Sequence, residues 1–132
     1  MKKTLANLLL GLSLVSLNFT SHADESVSSK WLSTIDSGNY EQSWQEADQF
    51  FQSELSKGSW ANALNTVRKP LGKVLTREEI KRENHTALPG VPKGEYMIIQ
   101  YQTSFAKKST AIETVTLTKN NGQWRPVGYF IK

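Results

Sequence analysis

The side chain with the most chemistry open to it in this 132-residue sequence is Glu113. It stands in the run Ala111-Ile112-Glu113-Thr114-Val115-Thr116-Leu117. On a strand alternate residues face opposite sides, so Glu113 shares a face with Ala111, Val115 and Leu117 and cannot turn to solvent without exposing them. A carboxylate so placed must be paired or hydrogen-bonded, because an isolated buried charge is too costly. Strand pairing predicts Tyr101 as its cross-strand neighbour, and Arg68 and Arg77 are the bases expected to reach it. Glu113, Tyr101, Arg68 and Arg77 are therefore the candidate ligand-binding set. Two roles are open to them: a structural polar cluster fixing helices on a sheet, or the floor of a small-molecule pocket with Glu113 as acid/base.

The rest of the sequence removes whole classes of chemistry. There is no cysteine, so thiol nucleophiles, thiolate metal sites and iron–sulfur clusters are out. Only two histidines occur, His22 and His85, with no HxxxH or HxH spacing, no GxSxG elbow and no Gly-rich phosphate loop. No cofactor and no metal site is expected, and no residue is assigned a catalytic role. The formal charge of +4 includes Lys2 and Lys3. The remaining surplus of about +2 is spread along the chain, which is no argument for nucleic acid.

Met1-Lys2-Lys3, the apolar run Leu8–Phe19 and Ser21-His22-Ala23 have the three-part form of a secretory signal peptide. The run is too short and too interrupted to span a bilayer comfortably. Residues 1–23 are thus expected to be cleaved near Ala23, leaving 24–132 as one domain, periplasmic or secreted, with no stable membrane anchor.

The elements that must hold Glu113 follow from periodicity. Val27, Trp31, Leu32 and Ile35 lie at helical spacing, and Gly38 can end that helix. Tyr40, Trp44, Ala47, Phe51 and Leu55 form the stripe of a second helix, closed by Lys57-Gly58. A third, capped by Ser59, turns Trp60, Ala61, Leu64 and Val67 inward and stops before Pro70. Leu71–Lys81 alternates weakly and reads as a charged edge strand. Glu95–Phe105, Ala111–Thr118 and Gln123–Ile131 form a meander, with Asn121-Gly122 as the last turn. The fold class is α+β: three N-terminal helices packed on one face of a curved four-stranded antiparallel sheet.

Counting from a two-residue turn at Asn121-Gly122 sets Asn120 against Gln123, Leu117 against Pro126, Val115 against Gly128 and Glu113 against Phe130. A three-residue loop at Ala106-Lys107-Lys108 sets Thr103 against Ala111, Tyr101 against Glu113 and Ile99 against Val115. The core face then holds Met97, Ile99, Tyr101, Thr103, Phe105, Val115, Leu117, Trp124 and Phe130. The opposite face carries Val127, Tyr129 and Ile131, an apolar cluster that marks an interaction surface.

The runs Asp36-Ser37-Gly38-Asn39-Tyr40, Val67-Arg68-Lys69-Pro70-Leu71-Gly72, Leu88-Pro89-Gly90-Val91-Pro92-Lys93-Gly94-Glu95-Tyr96 and Gly122-Gln123-Trp124-Arg125-Pro126-Val127-Gly128-Tyr129 together resemble the bacterial family named domain of unknown function 4019. The match covers nearly the whole chain after the leader. That resemblance implies export and transfers no catalytic residue. The order of helices and sheet also resembles the cone-shaped nuclear-transport-factor-2-like folds, which host enzymes and binding modules alike. The expected function is a small exported binding or protein-interaction module without catalytic activity. Its partner would be an unidentified protein or small ligand, or a second copy in a homodimer through the sheet. The alternative is the Glu113 pocket.

Overall fold

The computed structural model describes residues 23–132, with side chains from Val27 onward. The expected leader up to residue 22 lies outside the described residues. Four helices come first: α1 (Ala23–Asp36), α2 (Tyr40–Glu46), α3 (Gln49–Glu54) and α4 (Lys57–Val67). A 3-10 turn at Lys69–Leu71 leads into β1 (Val74–His85), β2 (Glu95–Phe105), β3 (Lys108–Asn120) and β4 (Gln123–Ile131). The strands form one antiparallel meander in the order β1-β2-β3-β4.

The helices differ from expectation in two places. The stripe expected as one helix over Tyr40–Leu55 is broken at Ala47-Asp48, both extended. Tertiary hydrogen bonds explain the break. Asp48 donates its backbone N–H to Pro126 O at 2.7 Å and accepts from Asn120 Nδ2 at 2.6 Å, while its other carboxylate oxygen caps α3 by accepting from Phe50 N. A continuous helix would withdraw that residue from the sheet. The last helix begins one turn early, because Ser56 rather than Ser59 is its N-cap, and Gly58 lies inside it. Val67 is exposed, not inward.

The core fills the space between helices and sheet. Trp31, Leu32, Ile35, Trp60 and Leu64 meet Ile99, Val115 and Leu117, all buried. Trp31 and Trp60 stack with ring centroids 5.9 Å apart. Ser43 satisfies both indole N–H groups: Trp31 Nε1 donates to its carbonyl and Trp60 Nε1 to its hydroxyl, each at 2.8 Å. Buried indoles need such partners.

β1 is an edge strand, as its charges suggested, but it runs four residues further, to His85. Its pairing with β2 slips at Leu75 and at Ile80. Each is the extra residue of a bulge and each is exposed, which explains two solvent-facing aliphatics on a charged strand. The β2–β3 register is Thr103 to Ala111, Tyr101 to Glu113 and Ile99 to Val115, as counted from the sequence. Its turn is two residues rather than three, since Phe105 pairs with Lys108. The backbone N–H groups of Ala106 and Lys107 donate to the carbonyls of Lys73 and Leu71, which pins that tight turn.

The β3–β4 turn is Asn121-Gly122 with φ of 52° and 76°, the left-handed pair that a two-residue hairpin demands. Pairing starts as expected, Asn120 to Gln123 and Leu117 to Pro126. Then Thr116 pairs with Gly128, so Val127 is the extra residue of a bulge. Beyond it every side chain changes face. Val115 meets Tyr129 and Glu113 meets Ile131, while Phe130 turns outward and is 59% exposed. The expected inward Phe130 and outward Val127, Tyr129 and Ile131 are corrected accordingly. Val127 and Tyr129 pack against the core, and Ile131 lies beside Glu113.

Candidate functional site

Glu113 is fully buried in the middle of β3 and accepts from four donors. Arg77 Nε reaches Oε1 at 2.8 Å and Thr103 Oγ1 reaches the same oxygen at 2.5 Å. Oε2 accepts from the Tyr129 hydroxyl and, at 3.5 Å, from Arg68 Nη1. The two arginines also share Asp36, the last residue of α1. Arg68 Nη2 donates to Asp36 Oδ1 at 2.6 Å, and Arg77 straddles the carboxylate with bonds of 2.7 and 2.9 Å. Two guanidiniums and two carboxylates thus close a charge-balanced ring across α1, α4, β1 and β3.

Each member is placed by its element. Arg68 follows α4 as its C-cap residue and passes its guanidinium over the Phe105 ring, 4.8 Å from the centroid. Arg77 pairs with Thr103 across β1 and β2, which sets both beside Glu113. The Val127 bulge delivers Tyr129, whose ring meets Trp31 and Trp60 edge-on.

The electrostatics agree with a closed ring. Burial pushes the Asp36 pKa up, but hydrogen bonds and charge from Arg77 and Arg68 outweigh it and hold the carboxyl below its usual range. Burial works against the charge on Arg68 and Arg77, yet Tyr129, Asp36 and Glu113 raise the first, and Asp36 and Glu113 the second. Burial and the neighbouring Glu113 charge push Tyr129 well above the phenol range.

Of the four residues expected to form a ligand set, the structure brings together Glu113, Arg68 and Arg77. Tyr101 stands opposite Glu113 in register, but its hydroxyl donates to Ser28 Oγ at 2.8 Å instead, tying β2 to α1. Three members escaped the sequence: Asp36, Thr103 and Tyr129. Asp36 read as part of a helix stop. Thr103 had already been counted onto the Glu113 face. Tyr129 was hidden by the bulge.

Chemically, the ring holds. Every partner of Glu113 donates to it, and both oxygens are engaged. A cleft of about 270 Å³ reaches the ring's open side at Asp36 and Arg68, bordered by Gly38, Lys69 and Lys73. Among the described residues no group of three or more His, Cys, Asp or Glu could hold a metal ion, and no helix is long and apolar enough to cross a membrane.

The second feature is the sheet face that carries no helix. Tyr96, on that face, is covered by the connector before β2, with its hydroxyl bonded to Pro92 O. Beyond it lie Ile98, Gln100 and Gln102 of β2, Ile112, Thr114 and Thr116 of β3, and Gly128 and Phe130 of β4. A Cβ on Gly128 would sit against the Thr116 side chain, 3.6 Å from its Cβ.

Residues 27–129 match the model of the family described as "Protein of unknown function (DUF4019)". The chain belongs to that family. No curated protein sequence matches it. Among solved structures it is similar to Aln2 from a Streptomyces species, at 9% identity and a TM-score of 0.50, over 83% of this chain and 87% of that one. At such identity the likeness concerns the fold alone, and it is consistent with the cone-shaped architecture. The family description carries no activity, so function rests on the geometry above.

Proposed function

We propose that this family member is a small exported interaction module that works by contact, through the sheet face its helices leave uncovered. The observation that carries this reading is Phe130, a large aromatic side chain 59% exposed on the same face as Ile98, Ile112 and Gly128. Apolar residues grouped around an aromatic anchor are the usual make-up of an interface centre. The Glu113 alternative, an acid/base in a pocket, has less to support it. The carboxylate has no free oxygen, and the core cluster occupies the space where a substrate would lie. The leader over residues 1–23 supplies the export half of the proposal, with Asp24 as the first residue of the processed chain.

The test is a photo-crosslinking amino acid at Phe130, with Asn62 on α4 as the control position. Crosslinks from Phe130 alone support the outer face. Equal yields from both positions, or none from either, overturn it. Mass spectrometry of the exported protein checks the processing: a chain retaining Met1 in the membrane fraction is the contrary result.

A further inference from the structure

We infer that the end of the molecule built from Lys69, Lys73, Lys107 and Lys108 docks reversibly on an anionic membrane surface, its lysines over lipid phosphates. This pole is separate from the Phe130 face, and the inference goes beyond the contact reading without resting on it.

Folding gathers charge that the sequence scatters. The backbone N–H groups of Ala106 and Lys107 donate to the carbonyls of Lys73 and Leu71 at 2.8 and 2.9 Å, which closes the 3-10 turn segment against the β2–β3 turn. Gly72, at φ 75°, permits the approach, since a Cβ there would lie only 3.3 Å from that of Ala106. Lys69, Lys73, Lys107 and Lys108, all exposed, therefore stand together. Residues 67–77 and 103–112 contain no acidic residue. Arg68 and Arg77, within the first of these segments, are neutralised by Asp36 and Glu113 in the ring. Among the described residues none of the four lysines has an ion-pair partner, whereas Lys81 pairs with Glu83 and Lys119 lies over the Trp124 ring. The chain after the leader carries about +2, so the side chains away from this pole sum to about −2. A molecule so polarised is oriented by a charged surface as well as attracted to it.

The chemistry of the pole favours a bilayer. Lysines are point charges on flexible stems and offer no planar fork, so they suit a diffuse layer of phosphates rather than one phosphate held in fixed geometry. Aliphatic side chains stand beside them. Val67, two residues before Lys69, is 42% exposed. Leu75, two residues after Lys73, is 62% exposed as the extra residue of a β1 bulge. Basic residues interleaved with exposed aliphatics are the make-up of a segment lying at the headgroup boundary. Phe105, the one aromatic residue of the two segments, is buried and cannot stack on a base, which disfavours single-stranded nucleic acid. Attachment by lysines is screened by salt and is no permanent anchor.

Co-sedimentation of the exported chain with vesicles of about three parts phosphatidylcholine to one of phosphatidylglycerol tests this, with pure phosphatidylcholine vesicles as the control. We expect binding to the anionic vesicles alone, lost at high salt. Lys69→Gln, Lys73→Gln, Lys107→Gln and Lys108→Gln should each weaken it about fivefold, and all four together should abolish it. Leu75→Gln should weaken it without changing its salt dependence, and Lys93→Gln, outside the pole, should leave it unchanged. Circular dichroism checks the fold of every variant. Equal binding to both vesicle types, binding to neither, or binding that Lys93→Gln weakens as much as the pole variants do, overturns the inference. Capture of a single-stranded oligonucleotide by a chain that ignores the anionic vesicles overturns it as well.

Discussion

Asp36 and Arg77 meet in a two-pronged ion pair, 2.7 and 2.9 Å long, that joins the last residue of α1 to the edge strand. Parallel N–H···O bonds of this kind fix orientation as well as distance. An edge strand has only one neighbour in the sheet, so this clamp ties β1 to the helical layer.

The ring has a clear pH signature on its acid side. The folded Asp36 carboxyl titrates below its unfolded value of about 3.9, so its contribution is fully present above about pH 4 and is lost as pH falls through the depressed folded value. Asp36→Asn should flatten that acid limb in urea titrations run from neutral pH downward. An unchanged limb would mean the pair is solvated.

Tyr129 gives the opposite limb. Its raised pKa means the protonated phenol is preferred in the folded state, so its contribution is full below about pH 10 and is lost as pH climbs toward the raised folded value. Burial raises Tyr101 as well, so it adds to the same limb. Tyr129→Phe should reduce alkaline sensitivity more than Tyr101→Phe.

Glu113→Gln should cost about 3–5 kcal/mol in urea unfolding, because it leaves the Arg68 and Arg77 guanidiniums with Asp36 as their one shared counter-charge. Arg68→Ala should cost a similar amount, and the two together less than their sum, since they share one network. Tyr101→Phe loses the hydroxyl's bond to Ser28, about 1 kcal/mol, and should add independently of Glu113→Gln.

The stacked indoles predict a coupled near-ultraviolet circular dichroism signal. Trp60→Phe should abolish it and cost about 1–3 kcal/mol through the lost Ser43 bond and a smaller core side chain. Trp124→Phe, away from the stack, should leave the signal intact.

Asp48→Ala removes an N-cap and the Asn120 tether together, which should lower stability by about 1–3 kcal/mol. Asn120→Ala should give only the part belonging to the tether. Equal costs would show that the cap contributes nothing.

Much of this was legible in the chain. Parity alone put Glu113 among Ala111, Val115 and Leu117, and Asn121-Gly122 anchored the hairpin. Arg68 and Arg77 followed as the cations able to reach a buried carboxylate. What stayed hidden was the bulge. Pro126-Val127-Gly128 carries no signal that says where one residue is to be skipped, and a single skip exchanges Tyr129 for Phe130 on the core face. The break at Asp48 was hidden for a different reason. The apolar stripe continues through it, and only bonds to Asn120 and Pro126, far along the chain, decide against a continuous helix.

The charged ring draws on distant parts of the chain, with sequence separations of 41 from Asp36 to Arg77, 45 from Arg68 to Glu113 and 61 from Arg68 to Tyr129. Local helices and hairpins can form and dissolve long before such loops close. A half-assembled ring strands a charge in an apolar setting, so partly docked helices are penalised until the last member arrives. Folding should therefore be cooperative, with the helical layer and the sheet committing together, and hydrogen exchange should find α4 and β3 opening as one unit.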